Sequence, residues 1–155
     1  MVAAVLADPA RFSELVMLIS SSHAVMRMRA ADAMEKVSAI HPTVLQSPRR
    51  LVLDRLLESD AKDICWHAAQ MLPRVQWPGS ERPHVYTRLV QALDDPSRSV
   101  AANALQALVD LMRQWPERCA DTARIVRRSV QQGSSALRAR ARKLVAVLDA
   151  PATKE

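Results

Sequence analysis

The chain has 155 residues, and its 49% hydrophobic content is combined with only 2 glycines and 3% aromatic residues. Strands favour β-branched and aromatic residues, and hairpin turns favour glycine, so this composition excludes a strand-rich fold and predicts an all-α fold. Phosphate-cradling loops need several glycines, so the composition excludes these loops as well. With 22 basic and 16 acidic residues the formal net charge is +6, which permits an acidic protein, a nucleic acid or a membrane surface as partner but selects none of them.

A proline opens an apolar-periodic stretch at four places along the chain, and each such stretch has the spacing of a helix. Proline is tolerated in the first helical turn because the N–H groups there have no partner within the helix. Asp8 and Ser47 stand one residue before the first two prolines and are candidate N-caps. We therefore expect a helix to begin at each proline. The four prolines are Pro9, Pro48, Pro83 and Pro116.

A second helical segment follows each of these stretches, and the four second segments align without gaps. Large apolar residues recur at positions 1, 9 and 12 of each segment, which is the spacing of one helical stripe. Position 5 is alanine in every copy, which indicates that two helices approach closely there. The segments begin at Met26, Ile64, Val100 and Leu137, and the alanines are Ala30, Ala68, Ala104 and Ala141.

Polar or glycine-bearing links join the two segments of each pair, and the pattern predicts eight helices in four hairpins. Pro73 lies inside the second helix of the second pair and should kink or shorten that helix. The links are Ser20–Ser22, Ser59–Asp60, Asp94–Ser97 and Gly133–Ser135. The predicted repeats cover about residues 9–39, 48–77, 83–114 and 116–149 of a single domain over 1–150, and residues 151–155 are expected to be a disordered tail.

This organisation resembles HEAT repeats, which share the 36–38-residue period and the paired helices. The third repeat has the family's Asp-Pro opening at Asp95 and Pro96, followed by Ala104 at the close-approach position. Arg27 and Arg138 match the family's frequent arginine at position 2 in the first and last copies. The resemblance implies an α-α superhelix, a right-handed solenoid, that serves as a non-catalytic scaffold and binds its partner on a concave face formed by the second helices.

Positions 3, 4 and 7 of the second helices face away from the apolar stripe, so they should be solvent-accessible and form that concave face. Trp66 is the large aromatic residue among them and is the expected anchor for a protein or peptide partner. Two alternatives stay open: the rows are only the solvated face of amphipathic helices, or Trp66 lies against the outer helix of its own repeat. The predicted partner-binding residues are Met28, Arg29, Asp32, Trp66, His67, Gln70, Asn103, Gln106, Arg140 and Lys143.

Seven cations and no acid lie between Arg124 and Lys143, which favours contacts with phosphates or with an acidic partner in the last repeat. Because the arginines of the last helix alternate, they should spread over more than one helix face. A terminal capping repeat with a polar outer face is the competing interpretation. A nucleic-acid-binding module is thus the alternative function. Its candidate contacts are Arg124, Arg127, Arg128, Arg138 and Arg142.

Catalysis is not expected from this sequence. The four histidines are scattered and lack cysteine partners, so we expect no metal site and no cofactor. HEAT-like alkylpurine DNA glycosylases use concave tryptophans and an aspartate, and only Trp66 and Asp32 could match such roles here. Trp77 and Trp115 precede prolines at helix ends, where a bulky ring usually seals a loop over the core.

The cellular compartment is predicted from the cysteines and the chain start. Cys65 and Cys119 are the only thiols and are far apart, which favours a reducing compartment. The apolar start ends at Asp8 and has no basic segment, so it does not predict a signal peptide. No apolar run approaches the ~18 residues of a membrane span. We expect a cytoplasmic protein with no membrane partner, whose oligomeric state and partner identity stay open.

Overall fold

The computed structural model describes residues 1–55 and 62–149, and within these ranges the chain is helical with no strand. The predicted all-α class is therefore confirmed. The described ranges contain nine α-helices and six short turns of 3₁₀ helix. They are α1 (Val2–Ala7), α2 (Phe12–Leu18), α3 (Ala24–Ile40), α4 (Arg49–Arg55), α5 (Lys62–Met71), α6 (Arg82–Gln91), α7 (Arg98–Asp110), α8 (Cys119–Ser129) and α9 (Ser135–Leu148).

The prediction of eight helices was wrong, because the apolar start of the chain forms an additional helix, α1. Val2, Val5 and Leu6 recur at helical spacing, and Val5 is buried in the core while the other two pack against it. This apolar face holds α1 against α3. The predicted link Ser59–Asp60 and the predicted tail 151–155 lie outside the described residues.

The prolines lie at the starts or ends of helices, as expected for a residue without a backbone N–H. Pro9 opens a 3₁₀ turn before α2, and the side chain of Asp8 accepts a hydrogen bond from the backbone N–H of Ala10 at 3.2 Å. Pro83 lies in the first turn of α6. Pro73 cannot donate to the carbonyl four residues earlier, so α5 ends at Met71 and continues as a 3₁₀ turn, Leu72–Arg74. The predicted shortening of this helix is confirmed.

The helices pack in pairs, and the second helices of the pairs also pack against one another. α2 contacts α3, α4 contacts α5, α6 contacts α7, and α8 contacts α9. In addition, α3 contacts α5, α5 contacts α7, and α7 contacts α9. The four alanines at position 5 have no exposed surface, which is compatible with close approach of helices at these positions. Ala30, Ala68, Ala104 and Ala141 are each 0% exposed.

The core consists of one large cluster from α1 to α7 and a smaller cluster where α7, α8 and α9 meet. Leu93 and Ile125 pack against both clusters and so connect them. Trp77 and Trp115 are buried in the large cluster, as expected for rings at helix ends. The indole N–H of Trp77 donates to the carbonyl of Leu72 at 3.0 Å, which satisfies its polar atom inside the core.

Ion pairs connect neighbouring helix pairs at the surface. Arg49 and Arg50 both donate hydrogen bonds to Glu81, at 3.1 and 2.8 Å, and these bonds hold the pKa of the Glu81 carboxyl below its ordinary value. Lys62 donates to Asp95 at 2.6 Å, which ties the start of α5 to the segment before α7. None of the helices in the described ranges is both long and apolar enough to cross a membrane.

Candidate binding groove

Three clefts lie between the second helices α3, α5, α7 and α9, and each of the ten residues predicted to bind a partner lines at least one of them. The α3–α5 cleft, of about 240 Å³, is lined by Met28, Arg29, Asp32, Trp66 and His67. The central cleft, of about 230 Å³, is lined by Glu35, Ala69, Gln70, Arg74, Asn103, Gln106, Ala107, Asp110 and Arg140. The α7–α9 cleft, of about 360 Å³, is lined by Arg98, Ser99, Ala102, Asn103, Ala136, Ala139, Arg140 and Lys143.

The three clefts form one surface, which we call the second-helix groove. Asn103 and Arg140 line both the central and the α7–α9 clefts. Trp66 in the α3–α5 cleft and Gln70 in the central cleft are one turn apart on α5, so they share a helix face. The amide of Gln70 donates to the amide oxygen of Asn103 at 3.4 Å, and Arg140 donates to Gln106 at 3.1 Å. These bonds fix polar side chains along the groove.

Two positions of the predicted rows are buried, which corrects the expectation that all of them are solvent-accessible. His67 is 3% exposed and Ala102 is 7% exposed. His67 lies on α5 and Ala102 lies on α7. Each of these helices has another second helix on both sides and therefore loses exposed surface to two neighbours. Arg29 and Lys143 lie on α3 and α9 at the ends of the row, and they are exposed.

Trp66 takes part in both the core and the groove. Its side chain is half-buried and packs against the large core cluster, and it also lines the α3–α5 cleft. The ring stacks on His67 with 3.6 Å between ring centroids and 29° between planes. Met28, which is 43% exposed, adds apolar surface on the opposite wall of this cleft. The cleft thus presents an aromatic stack with adjacent apolar surface.

The basic run of the last repeat is divided among several surfaces. Arg124 pairs with Asp121 at 3.1 Å, and Arg127 pairs with Asp149 at 2.9 Å. Arg140 and Lys143 line the α7–α9 cleft, as described above. The remaining members, Arg128, Arg138 and Arg142, are exposed.

The helical geometry of α9 explains this division. At about 100° per residue, Arg138 and Arg142 share one face of the helix, and Arg140 points roughly 200° away from each of them. Its arginines therefore spread over more than one face, as the alternation predicts, and they do not form a single patch.

Arg98 and Ser99 belong to the α7–α9 cleft and were missed by sequence reasoning. They precede Val100, where the third aligned segment begins, so they do not belong to any of the aligned positions 3, 4 and 7. Arg98 lies one turn before Ala102, which was assigned to the binding face at position 3. Extending each row by one turn toward the helix start would have found both residues.

A further cleft lies on the first-helix side of the molecule, between α2 and α4. It has a volume of about 460 Å³ and is mainly apolar. Met17 on its rim is 70% exposed. Its lining residues are Pro9, Phe12, Ser13, Val16, Met17, Val44, Ser47, Pro48 and Leu51. Helical periodicity in the sequence does not separate a residue that contacts the core from one that forms a cleft wall.

The acidic side chains of the α3–α5 and central clefts have hydrogen-bonding partners, which include the Gln106 amide on Asp110. Within residues 1–55 and 62–149, no three His, Cys, Asp or Glu side chains are grouped closely enough to hold a metal ion. In the groove, Asp32 accepts a hydrogen bond from Lys36 at 2.7 Å, and Glu35 is paired with Arg74. No protein-family model matches the chain, and no curated protein or solved structure matches it either.

Proposed function

We propose that this chain is a non-catalytic solenoid of four HEAT-like helical hairpins that binds a protein or peptide segment in the second-helix groove. The observation that carries the proposal is the continuity of the three clefts across α3, α5, α7 and α9. A surface formed by successive repeats suits an extended ligand. Binding of this kind needs no cofactor. The cytoplasm is the proposed compartment, and Cys65 and Cys119, which form no disulfide with each other, are compatible with it.

The side chains of the groove favour a peptide ligand. Gln70, Asn103 and Gln106 are half-buried and carry amides that can both donate to and accept from a peptide backbone. Their hydrogen bonds to neighbouring groove residues restrict their rotamers before a ligand arrives, which lowers the entropy lost on binding. The stacked Trp66 and His67 supply an apolar anchor site next to these polar groups.

Nucleic-acid binding by the last repeat is the alternative function. It is favoured by the exposed Arg128, Arg138 and Arg142. Against it, the acid-free run of seven cations does not act as a unit, since two of its arginines already pair with carboxylates. The experiment below therefore distinguishes a protein partner from a nucleic acid.

A photo-crosslinking amino acid placed at Met28 or at Met17 tests the proposal in cells. Both methionines are exposed, but Met28 lies in the groove and Met17 lies on the first-helix side, so the pair is matched in chemistry and differs in location. We expect the Met28 position to crosslink to a discrete protein that survives nuclease treatment, and the Met17 position to give no such product. Ala139, which is exposed at the other end of the groove, should crosslink to the same protein.

The captured protein, once purified, should bind the wild-type chain directly, and the double variant Arg29→Ala, Asn103→Ala should weaken that binding ~10-fold or more. A matched double variant on α6, His84→Ala with Thr87→Ala, should leave the affinity unchanged, because both residues are exposed outside the groove. Crosslinks confined to Met17, or crosslinks at Met28 only to nucleic acid, would refute the proposal.

A further inference from the structure

Positive charge in the second-helix groove is concentrated in the α7–α9 cleft. Among the described residues, those that line this cleft include Arg98, Arg140 and Lys143 and no acid, so their formal charge is +3. The central cleft has two cations and two acids in its lining, and the α3–α5 cleft has one of each, so the formal charge of both is zero. The groove is therefore neutral over most of its length and basic at one end.

The three cations are available to a ligand. Arg98 and Lys143 are exposed, and within the described ranges neither has an ion-pair partner. Arg140 is half-buried and donates one hydrogen bond to Gln106, whose amide in turn donates to Asp110 at 2.9 Å. A guanidinium has five N–H donors, so Arg140 is held in place and still has donors for a carboxylate.

The rest of the cleft suits a small anionic group. Ser99 and Asn103 add a hydroxyl and an amide to the lining, and the volume of about 360 Å³ is within the roughly 300–1,000 Å³ range of pockets that hold small ligands. Residues from the first turns of both α7 and α9 line the cleft, so the partial positive charges of these helix starts have the same sign as the three cations.

We propose that the α7–α9 cleft binds the carboxylates of an acidic peptide segment, whose less charged part continues along the groove toward Trp66. This inference rests on the proposed function and adds the charge and the orientation of the ligand. Neighbouring packed helices are ~8–10 Å apart, so the centres of the α3–α5 and α7–α9 clefts are separated by roughly 16–20 Å. An extended chain covers that distance in about five or six residues, which sets the spacing between an apolar anchor residue and the acidic cluster.

The charges along the groove favour a peptide over a nucleic acid. Every nucleotide of a strand carries a phosphate charge, so a strand in the groove would bring phosphates beside Glu35 and Asp110 of the central cleft. A peptide can place its acidic residues at the basic end alone and lay amides and apolar residues against the neutral part. Asp110 also holds the Gln106 amide that positions Arg140, so it belongs to the groove itself.

The test uses the full chain and a fluorescein-labelled peptide with four consecutive glutamates flanked by serines, titrated at low salt. Lys143→Glu is the test variant and Arg142→Glu is its matched control. Both residues are exposed on α9 and both substitutions change the net charge equally, but only Lys143 lines the cleft. We expect Lys143→Glu to weaken peptide binding ~10-fold or more and Arg142→Glu to weaken it less than ~3-fold. The same peptide with glutamines should not bind.

Four results would overturn the inference. One is failure of the wild-type chain to bind the glutamate peptide at millimolar concentration, and a second is equal binding of the glutamine peptide. A third is an equal loss from the two α9 variants, which would indicate a general effect of net charge. The last is tighter, Lys143-dependent binding of a single-stranded RNA, which would indicate a phosphate site.

This experiment also separates the inference from the proposed function. If the protein crosslinked at Met28 binds Lys143→Glu as well as it binds the wild-type chain, the groove is a protein-binding site and only its acidic specificity is refuted. If no protein crosslinks from the groove but the glutamate peptide still binds through Lys143, the cleft recognises carboxylates and the proposed function is refuted.

Discussion

The substitution Ala104→Leu tests whether the alanine column is the point of closest helix approach. Ala104 has no exposed surface and lies in the large core cluster on α7, the helix that contacts α5, α6, α8 and α9. Leucine adds three carbon atoms at a fully buried position, and overpacking of this kind costs roughly 1–3 kcal/mol. In a domain of this size each kcal/mol lowers the melting temperature by about 2–4 °C. We therefore expect a decrease of about 2–12 °C in a circular dichroism melt.

Ala139→Leu is the matched control, because Ala139 is exposed on α9 and a leucine there meets solvent and the open α7–α9 cleft. Its free energy of unfolding should change by less than about 0.5 kcal/mol. Ala102 does not serve as a control, since it is buried in the structure although the sequence pattern predicted it to be exposed. Equal melting temperatures for Ala104→Leu and Ala139→Leu would refute the assignment of the alanine column to close helix contacts.

Three further predictions concern a turn, an ion pair and the groove. Gly133 has φ +101°, and a Cβ there would stand 2.6 Å from a side-chain carbon of Leu137. Gly133→Ala should therefore lower the free energy of unfolding by more than about 1 kcal/mol in chemical denaturation. Gly79 has open space around it, so Gly79→Ala should be neutral or slightly stabilising. The pKa of Glu81 is lower in the folded protein than its ordinary value of 4.5, so its ion pairs stabilise the fold fully above pH 4.5 and lose this effect as the pH falls through the folded-state pKa. In urea unfolding, Glu81→Gln should therefore lower the free energy of unfolding at pH 7 and have no effect at the acid end of the pH series. Trp66→Ala should cost about 1–3 kcal/mol because the ring is half-buried, and a loss above ~4 kcal/mol would assign it wholly to the core.

The groove residues were predicted from phase alone. Once position 5 is assigned to helix contacts, a rotation of about 100° per residue places positions 3, 4 and 7 on another face, and the ten residues chosen from these positions all line the clefts. Phase does not determine how much of each side chain a neighbouring helix covers. His67 and Ala102 are buried for that reason, although Arg29 at the same position as His67 and Ala139 at the same position as Ala102 are exposed.

Charge pairing was also beyond the sequence pattern. The run from Arg124 to Lys143 contains no acid, yet Arg127 pairs with Asp149, which lies outside the run on the segment after α9. Arg98 lies far from that run in sequence, but it joins Arg140 and Lys143 in one cleft because α7 packs against α9. Counting charges along the sequence therefore predicted that the C-terminal part of the molecule is basic, but it did not predict where the basic cleft lies.

The sequence by itself determined the helical class, the pairing of first and second segments, the burial of the position-5 alanines and the end of α5 before Pro73. Each of these depends on backbone chemistry or on periodicity within a single helix, which local sequence specifies. Only the tertiary structure decided the burial of His67, the double role of Trp66 in core and groove, and the grouping of Arg98, Arg140 and Lys143. These depend on which helices are neighbours and how closely they approach, and that is determined by packing between helices from different parts of the chain.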